Sequence, residues 1–353
     1  MGEGEIHSCC HSEGHSHGSV SKAWYKSPFH IICFGTLLLL AASSLFPFLF
    51  AFRQAFTVYL GMIWFPVVLG FLVGGLIDHY IPNEYFSKYL ARKSKKTIFY
   101  AVGLGFLATA CSHGVIALSM ELHKKGASGP AVVSFLLASP WASLPVTMLL
   151  LGFFGVKAFL IILAALVVAL TTGLTLQFLE EKQWIEENKF TVTVAQDFSI
   201  RKDMAKRMRE YRFNFQNVWF DIKGVAQGTR GLARMVLHWI LLGMVLASLS
   251  GAFVPASIFH RFLGPSLLGL FMTLVLATVL EVCSEGTSPL AFEIYKQTGA
   301  FGNAFAFLMG GVITDFTEIS LVWANLGKKT ALWMIAISLP QVLIFGWLFN
   351  QIP

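Results

Sequence analysis

The sequence predicts an all-α polytopic membrane protein: two inverted repeats, each with three crossings and a broken or re-entrant helix carrying Cys-Ser-x-Gly, plus one extra N-terminal helix. Three observations predict it. First, 56% of the residues are hydrophobic and 13% charged, against about 25% charged in an ordinary soluble domain. Second, several runs of about 20 residues are almost free of charge, the length that crosses a hydrocarbon core of roughly 30 Å. Third, the chain superimposes on itself after a shift of 172 residues. That shift carries Cys111 onto Cys283, Ser112 onto Ser284, Gly114 onto Gly286, Leu118 onto Leu290, Glu121 onto Glu293 and Phe135-Leu136 onto Phe307-Leu308. A self-match of this length marks a duplicated unit.

Residues 1–28 are polar and without apolar periodicity, so they read as a disordered tail. His7, Cys9, Cys10, His11, His15 and His17 crowd into "HSCCHSEGHSH". Thiolate and imidazole suit zinc or copper, so the tail is a candidate for metal capture; a solvated tail with chance histidines is the alternative. No small-residue cleavage site follows, which argues against a cleaved signal peptide. The five cysteines are too scattered for a disulfide framework.

The extra helix is expected over 29–52. The first repeat, 53–179, holds crossings at about 57–80, 130–152 and 156–179 and an interrupted apolar segment at 97–123. A basic loop follows over 180–229, containing "IRKDMAKRMREYR" and then "FNFQNVWFDIKG". The latter mixes aromatics with charge and reads as a helix on the membrane surface or in a solvated loop. The second repeat, 230–353, holds crossings at about 230–253, 299–323 and 329–350 and an interrupted segment at 266–297.

Charge orients these pieces. The piece 97–110 is only about 21 Å long as a helix, so the Cys-Ser segment is expected to enter, break and return to its own side. Three crossings and one hairpin make each repeat odd, and the two copies are then inverted. On that reading the tail, "KYLARKSKK", Lys124-Lys125, the 180–229 loop and Lys328-Lys329 share one face, which positive charge marks as cytoplasmic. The net charge of +7 thus reports on loop orientation and not on nucleic acid. Inverted repeats with broken helices near the midplane recur in secondary transporters.

Interrupted helices at that depth need polar backbone to be buried or to line a cavity. Gly114, Gly286, Pro140, Gly310 and Gly311 are the expected break points. Around them stand side chains costly to bury in lipid: Glu281, Cys283, Ser284, Glu285, Asp315 and Glu318 in the second copy, and Cys111, Ser112 and His113 in the first. Cys111 and Cys283, with Ser112, His113, Ser284 and Glu285, are the expected substrate-binding set, because paired sulfur selects thiophilic species. Glu281, Asp315 and Glu318 are candidates for proton coupling or cation binding, and Asp315 could equally serve as a helix cap. Glu121 and Glu293 fall at helix ends and are expected to be interfacial or structural. Cys33 and His238 are expected to pack.

The paired stretches "CSHGVIALSMELHKKGASGPAVVSFLLASP" and "CSEGTSPLAFEIYKQTGAFGNAFAFLMGG" resemble the duplicated signatures of the predicted-permease family that includes the ArsP-type organoarsenical efflux permeases. The resemblance runs from about residue 57 to the end, apart from the long loop. It implies efflux from the bacterial cytoplasm across the inner membrane, with Cys111 and Cys283 holding a trivalent organoarsenical. Other branches of the family are associated with divalent metal efflux. His113 stands where the first motif usually has a second cysteine, and Val312 where the second usually has proline. Both departures keep zinc or copper open as the substrate.

Three classes therefore stand side by side. A secondary efflux permease fits the duplication. An intramembrane hydrolase would use a Cys with acids but needs only one site. A metal sensor anchored by its membrane part does not need buried acids. No Gly-x-x-x-x-Gly-Lys motif occurs, and no cofactor is expected. The expected partners are a small-molecule or metal substrate and the lipid bilayer; the oligomeric state is not legible.

Overall fold

The computed structural model describes residues 28–80, 95–105, 112–124, 126–188, 215–280 and 284–351. All regular structure among them is helical. The chain opens with α1 (Pro28–Leu45) and a 3-10 turn (Pro47–Leu49), followed by α2 (Phe50–Tyr80), α3 (Lys95–Gly105) and α4 (Ser112–Lys124). Then come α5 (Gly129–Ala142), α6 (Leu144–Phe154) and α7 (Lys157–Glu181). The second half comprises α8 (Phe215–Phe253), α9 (Ala256–Leu263), α10 (Leu267–Val279), α11 (Ser284–Thr298), α12 (Phe301–Thr314), α13 (Phe316–Asn325) and α14 (Lys328–Phe349). Among the described residues five helices are long and apolar enough to cross a membrane, or up to seven if two bent pairs each count as one span. Those pairs are α5–α6, bent by 48°, and α9–α10, bent by 102°.

Two boundaries differ from the sequence reading. The helix expected over 29–52 stops at Leu45, because Pro47 has no N–H to continue the ladder and starts a new turn instead. The helix that contains the crossing expected at 57–80 accordingly begins at Phe50. In the second half the helix that contains the crossing expected at 230–253 already begins at Phe215, so the aromatic-and-charged stretch from Phe215 to Gly224 is the first part of a 39-residue helix. No proline interrupts it, and α2 packs along it from end to end.

That packing is antiparallel. His79 Nε2 lies 3.1 Å from Asp221 Oδ1, Thr229 Oγ1 donates to the Phe71 carbonyl at 3.3 Å, and at the other end the rings of Phe48 and Phe253 are 6.1 Å apart. Gly75 and Gly224 permit the approach, since a Cβ on either would overlap Thr229 or the His79 ring. The helices α7 and α14 are also antiparallel: Gln341 meets Thr171 and Thr172 at mid-length, and the Trp184 and Trp333 rings lie 6.1 Å apart where α7 has ended and α14 begins.

Helices apolar on every face belong in a centre. Every residue of α5 is buried, as is almost all of α12. Each sits among its own half's helices: α3, α4 and α7 around α5, and α10, α11 and α14 around α12. An aromatic seam joins the halves as well. The Phe292 ring stacks on Phe153 at 5.1 Å and meets Phe154 and Tyr59 edge-on at 5.6 and 5.8 Å. Two lysines cross it reciprocally: Lys157 donates to Tyr295 Oη and Lys296 to Tyr59 Oη, each at 3.0 Å.

Hydrogen bonds trace the path of the second interrupted segment. Asn303, at the start of α12, donates through Nδ2 to the carbonyls of Leu263 (2.8 Å) and Gly264 (2.9 Å), just before α10. Thr278, near the end of α10, meets Thr314, the end of α12, at 2.9 Å between hydroxyls. The helices α10 and α12 therefore run side by side in the same direction. The chain from 264 to 303 returns to the level at which it left.

Candidate functional site

Two helix breaks organise the polar groups. Between α5 and α6 the break falls at Ser143, whose backbone is extended (φ −65°, ψ 137°). Pro140 withholds one ladder donor near the end of α5, and Pro145 fits the first turn of α6. Ser139 Oγ donates to the Phe135 carbonyl at 2.6 Å, which keeps a buried hydroxyl satisfied. Gly105, closing α3, comes against the backbone of Ser139, so α3 ends beside this break.

The second break falls at Asp315, between α12 and α13. Its Oδ1 accepts the amides of Thr317 (2.6 Å) and Glu318 (3.1 Å), two of the four donors that a helix start leaves without partners. Asp315 is thus a helix cap, the structural one of its two expected roles. Glu318 is buried in the first turn of α13. Because Thr278 touches Thr314, the end of α10 lies beside this break, as the end of α3 lies beside the other.

Ser284, Glu285 and Gly286 form the first turn of α11 and are all buried. Ser284 Oγ donates to Glu285 Oε2 at 3.2 Å, while Thr287 and Ser288 donate to the Ser284 carbonyl at 3.1 and 2.8 Å. Gly243 of α8 packs directly on the Gly286 backbone, where any side chain would collide with its carbonyl. Ser112, His113 and Gly114 form the first turn of α4. Cys111, Glu281 and Cys283 lie outside the described residues, as do His7, Cys9, Cys10, His11, His15 and His17.

The expected break points are redistributed. Gly114 and Gly286 stand inside first turns, and Gly310 and Gly311 are still helical, one turn before the break at Asp315. Gly310 has a packing reason, since a Cβ there would press on Leu274 of α10, whereas Gly311 faces open space.

A cavity of about 440 Å³ opens between α8, α9, α10 and α11. Its walls are almost wholly apolar, and they reach Val279 and Leu280, the last described residues before 281–283. Glu293 stands in the wall and is fully buried. Its Oε1 accepts from Gln297 Nε2 at 2.6 Å, its Oε2 has no hydrogen bond, and Lys296 Nζ is 3.8 Å from Oε2. Sequence reasoning placed Glu293 at a helix end. Gly251 of α8 is what buries it, because the missing side chain there leaves room for the carboxyl. Among the described residues no group of three His, Cys, Asp or Glu side chains could hold a metal ion.

Comparison with known proteins places this architecture. The family model described as "Predicted permease", ArsP_1, matches residues 50–351. A Streptococcus mutans protein named by inference as a subunit of a two-component membrane permease complex is 22% identical over 79% of this chain and 88% of its own length. The UPF0718 protein YcgR of Bacillus subtilis is 20% identical over 76% and 86%, respectively. A Mycobacterium tuberculosis protein named by inference as the permease Rv2963 is 24% identical over 72% of this chain and 65% of its own. No solved structure matches significantly.

Proposed function

Because the chain belongs to the predicted-permease family, a family of multi-pass membrane proteins, we propose that it is a secondary efflux permease of the bacterial cytoplasmic membrane. Its substrate is a thiophilic metalloid species with an apolar body, of the trivalent organoarsenical type, exported in exchange for protons. The observation that carries the substrate class is the cavity wall. It is apolar except at Ser250 and Glu293 and runs up to Leu280, three residues before Cys283. An organic substituent gains by leaving water there, while sulfur holds the metalloid. A bare divalent ion would gain nothing from such walls.

The duplicated, inverted architecture belongs to the same proposal. The shift of 172 residues pairs α2 with α8 and α7 with α14, and both pairs run antiparallel, as an in-plane twofold axis requires. The return of the 264–303 segment to its starting level supports a re-entrant hairpin in each half. Cys111 and Cys283 directly precede the first residues of α4 and α11 in sequence, and a helix start favours the thiolate form that binds metalloid. Glu285, Glu318 and Glu281 are the candidates for carrying the exchanged proton. The His/Cys tail favours a second reading, capture and efflux of zinc or copper. The name of the Streptococcus relative adds the proposal of a second membrane component.

A resistance panel tests the substrate. Expression in a sensitised bacterium should protect against methylarsenite and phenylarsenite, and Cys111→Ala or Cys283→Ala should each remove the protection. Protection against zinc, copper or cadmium alone would overturn the organoarsenical reading, and intact protection in both mutants would overturn the sulfur site. Thiols engineered at Lys93 and Ala205 should both label from the cytoplasmic face; labelling from opposite faces would exclude the inverted topology.

A further inference from the structure

Glu293 has no role in the transport reading as stated, yet its setting is that of a ligand site. A pocket of about 440 Å³ falls within the range of small-molecule sites, about 300–1,000 Å³, which characteristically pair apolar walls with one or two placed polar groups. Here the placed group is a fully buried carboxyl with one oxygen lacking any hydrogen bond. Buried polar atoms almost always have a donor, and an exception calls for an explanation.

The neighbouring side chains do not provide that donor. Gln297 is spent on Oε1. Lys296 donates to Tyr59 Oη, is about half exposed, and makes a long ion pair with Oε2 at 3.8 Å, beyond hydrogen-bond reach. From α8, Gly251 has no side chain to offer and Ser250 Oγ donates to the Leu246 carbonyl at 2.8 Å. An N–H donor carried on an apolar molecule would suit both Oε2 and the walls.

We propose that this cavity binds an amphiphilic amine, an apolar body carrying an N–H donor. The amine donates to Glu293 Oε2, and the body lies against Phe262, Met272, Val275 and Leu276. The rim points to the route. Ile258, Phe262, Val275 and Val279 are exposed on the outer face of α9 and α10, where a membrane protein meets lipid, so the ligand enters sideways from the bilayer. As the same cavity is assigned to the substrate's body, the inference deepens the permease reading: Glu293 selects substrates whose organic part bears an amino group.

Binding can be measured without any metalloid, so the two readings can fail separately. The full chain is placed in phosphatidylcholine nanodiscs, whose headgroup has no N–H donor, and titrated with naphthylmethylamine, followed by its own fluorescence, with methylnaphthalene as the isostere lacking the amine. Saturable binding of the amine is expected, about tenfold or more tighter than methylnaphthalene. Glu293→Gln should remove that difference, and Met272→Trp, which fills the cavity and keeps the carboxyl, should abolish binding of both compounds. Equal affinity for the two compounds, amine binding unchanged in Glu293→Gln, or binding that survives Met272→Trp would each overturn the proposal. If Glu293→Gln does not fold, the comparison of the two compounds and Met272→Trp decide it. An amine site found in a chain that protects against no arsenical would stand, and the permease substrate would be the part to abandon.

Discussion

Replacing Glu186 by alanine should loosen the start of α14, and the structure gives the size of the effect. The Glu186 carboxylate reaches from the chain after α7 to the first turn of α14, where it accepts the amides of Lys329 (3.2 Å) and Thr330 (3.1 Å) and the Thr330 hydroxyl (3.3 Å). Those amides belong to the four that a helix start cannot satisfy internally. A lost N-terminal side-chain cap costs about 1 kcal/mol, and loss of a negative charge at the positive end of the helix dipole about 0.3–1 more. Because Glu186 is only partly buried, solvent screening trims the charge contribution, leaving about 1–2 kcal/mol for Glu186→Ala and about half that for Glu186→Gln. Thermal unfolding of the purified protein in detergent should register a drop of about 1–3 °C.

The same contact has a pH signature. Burial pushes the Glu186 carboxyl up, but the hydrogen bonds from Lys329, Thr330 and its own backbone more than reverse this and hold it below the ordinary glutamate value. A carboxyl whose folded value is depressed adds stability above its unfolded value, and that stability is lost as the pH falls through the folded one. The wild-type protein should therefore lose thermal stability below about pH 4.5, more steeply than Glu186→Gln. A glutamine variant with the wild-type melting temperature and the same acid dependence would refute the capping argument.

Other substitutions probe the packing. Asn303→Leu would leave the Leu263 and Gly264 carbonyls without their donor at the 102° bend, a loss of about 2 kcal/mol or more; a melting temperature within 1 °C or so of wild type would show that the bend does not need it. Gly243→Ala should impair both folding and transport, because its Cβ would collide with the Gly286 carbonyl, whereas Gly311→Ala, facing open space, should be neutral in the same thermal assay. Gly327→Ala should cost more than an ordinary helix-start change: its φ of 116° is unfavourable for alanine and its Cβ would strike Glu186.

How much of this was legible beforehand depended on which physics set each feature. Crossings such as 156–179 and 329–350 could be read from length and charge alone, because the bilayer imposes both. The split at Pro47 was equally local, but the apolar residues around it concealed it. The extension of α8 back to Phe215 was not local: its polar residues are held in helix by α2, through Gly75, Gly224 and the His79–Asp221 contact. The breaks at Ser143 and Asp315 fell near the expected prolines and glycines, displaced to where a cap or an extended residue could satisfy the freed amides. Glu293 was read as an interfacial or structural helix-end residue, because its burial depends on Gly251, 42 positions away in the chain. A usable signal was there, an acidic residue recurring at the repeat-matched position of an apolar segment.

The Asn303 carboxamide ties the beginning of one arm of the hairpin to the beginning of the helix that follows it, while its Oδ1 accepts from Asn350 at the end of α14. Three segments are thus pinned at a single point, and the Thr278–Thr314 contact fastens two of them again farther in. Such a joint lets the group swing as one piece but not splay apart. Leu263, the last residue of α9, is caught in the same joint, so the short amphipathic piece beside Glu293 is hinged to the bundle at its C-terminal end.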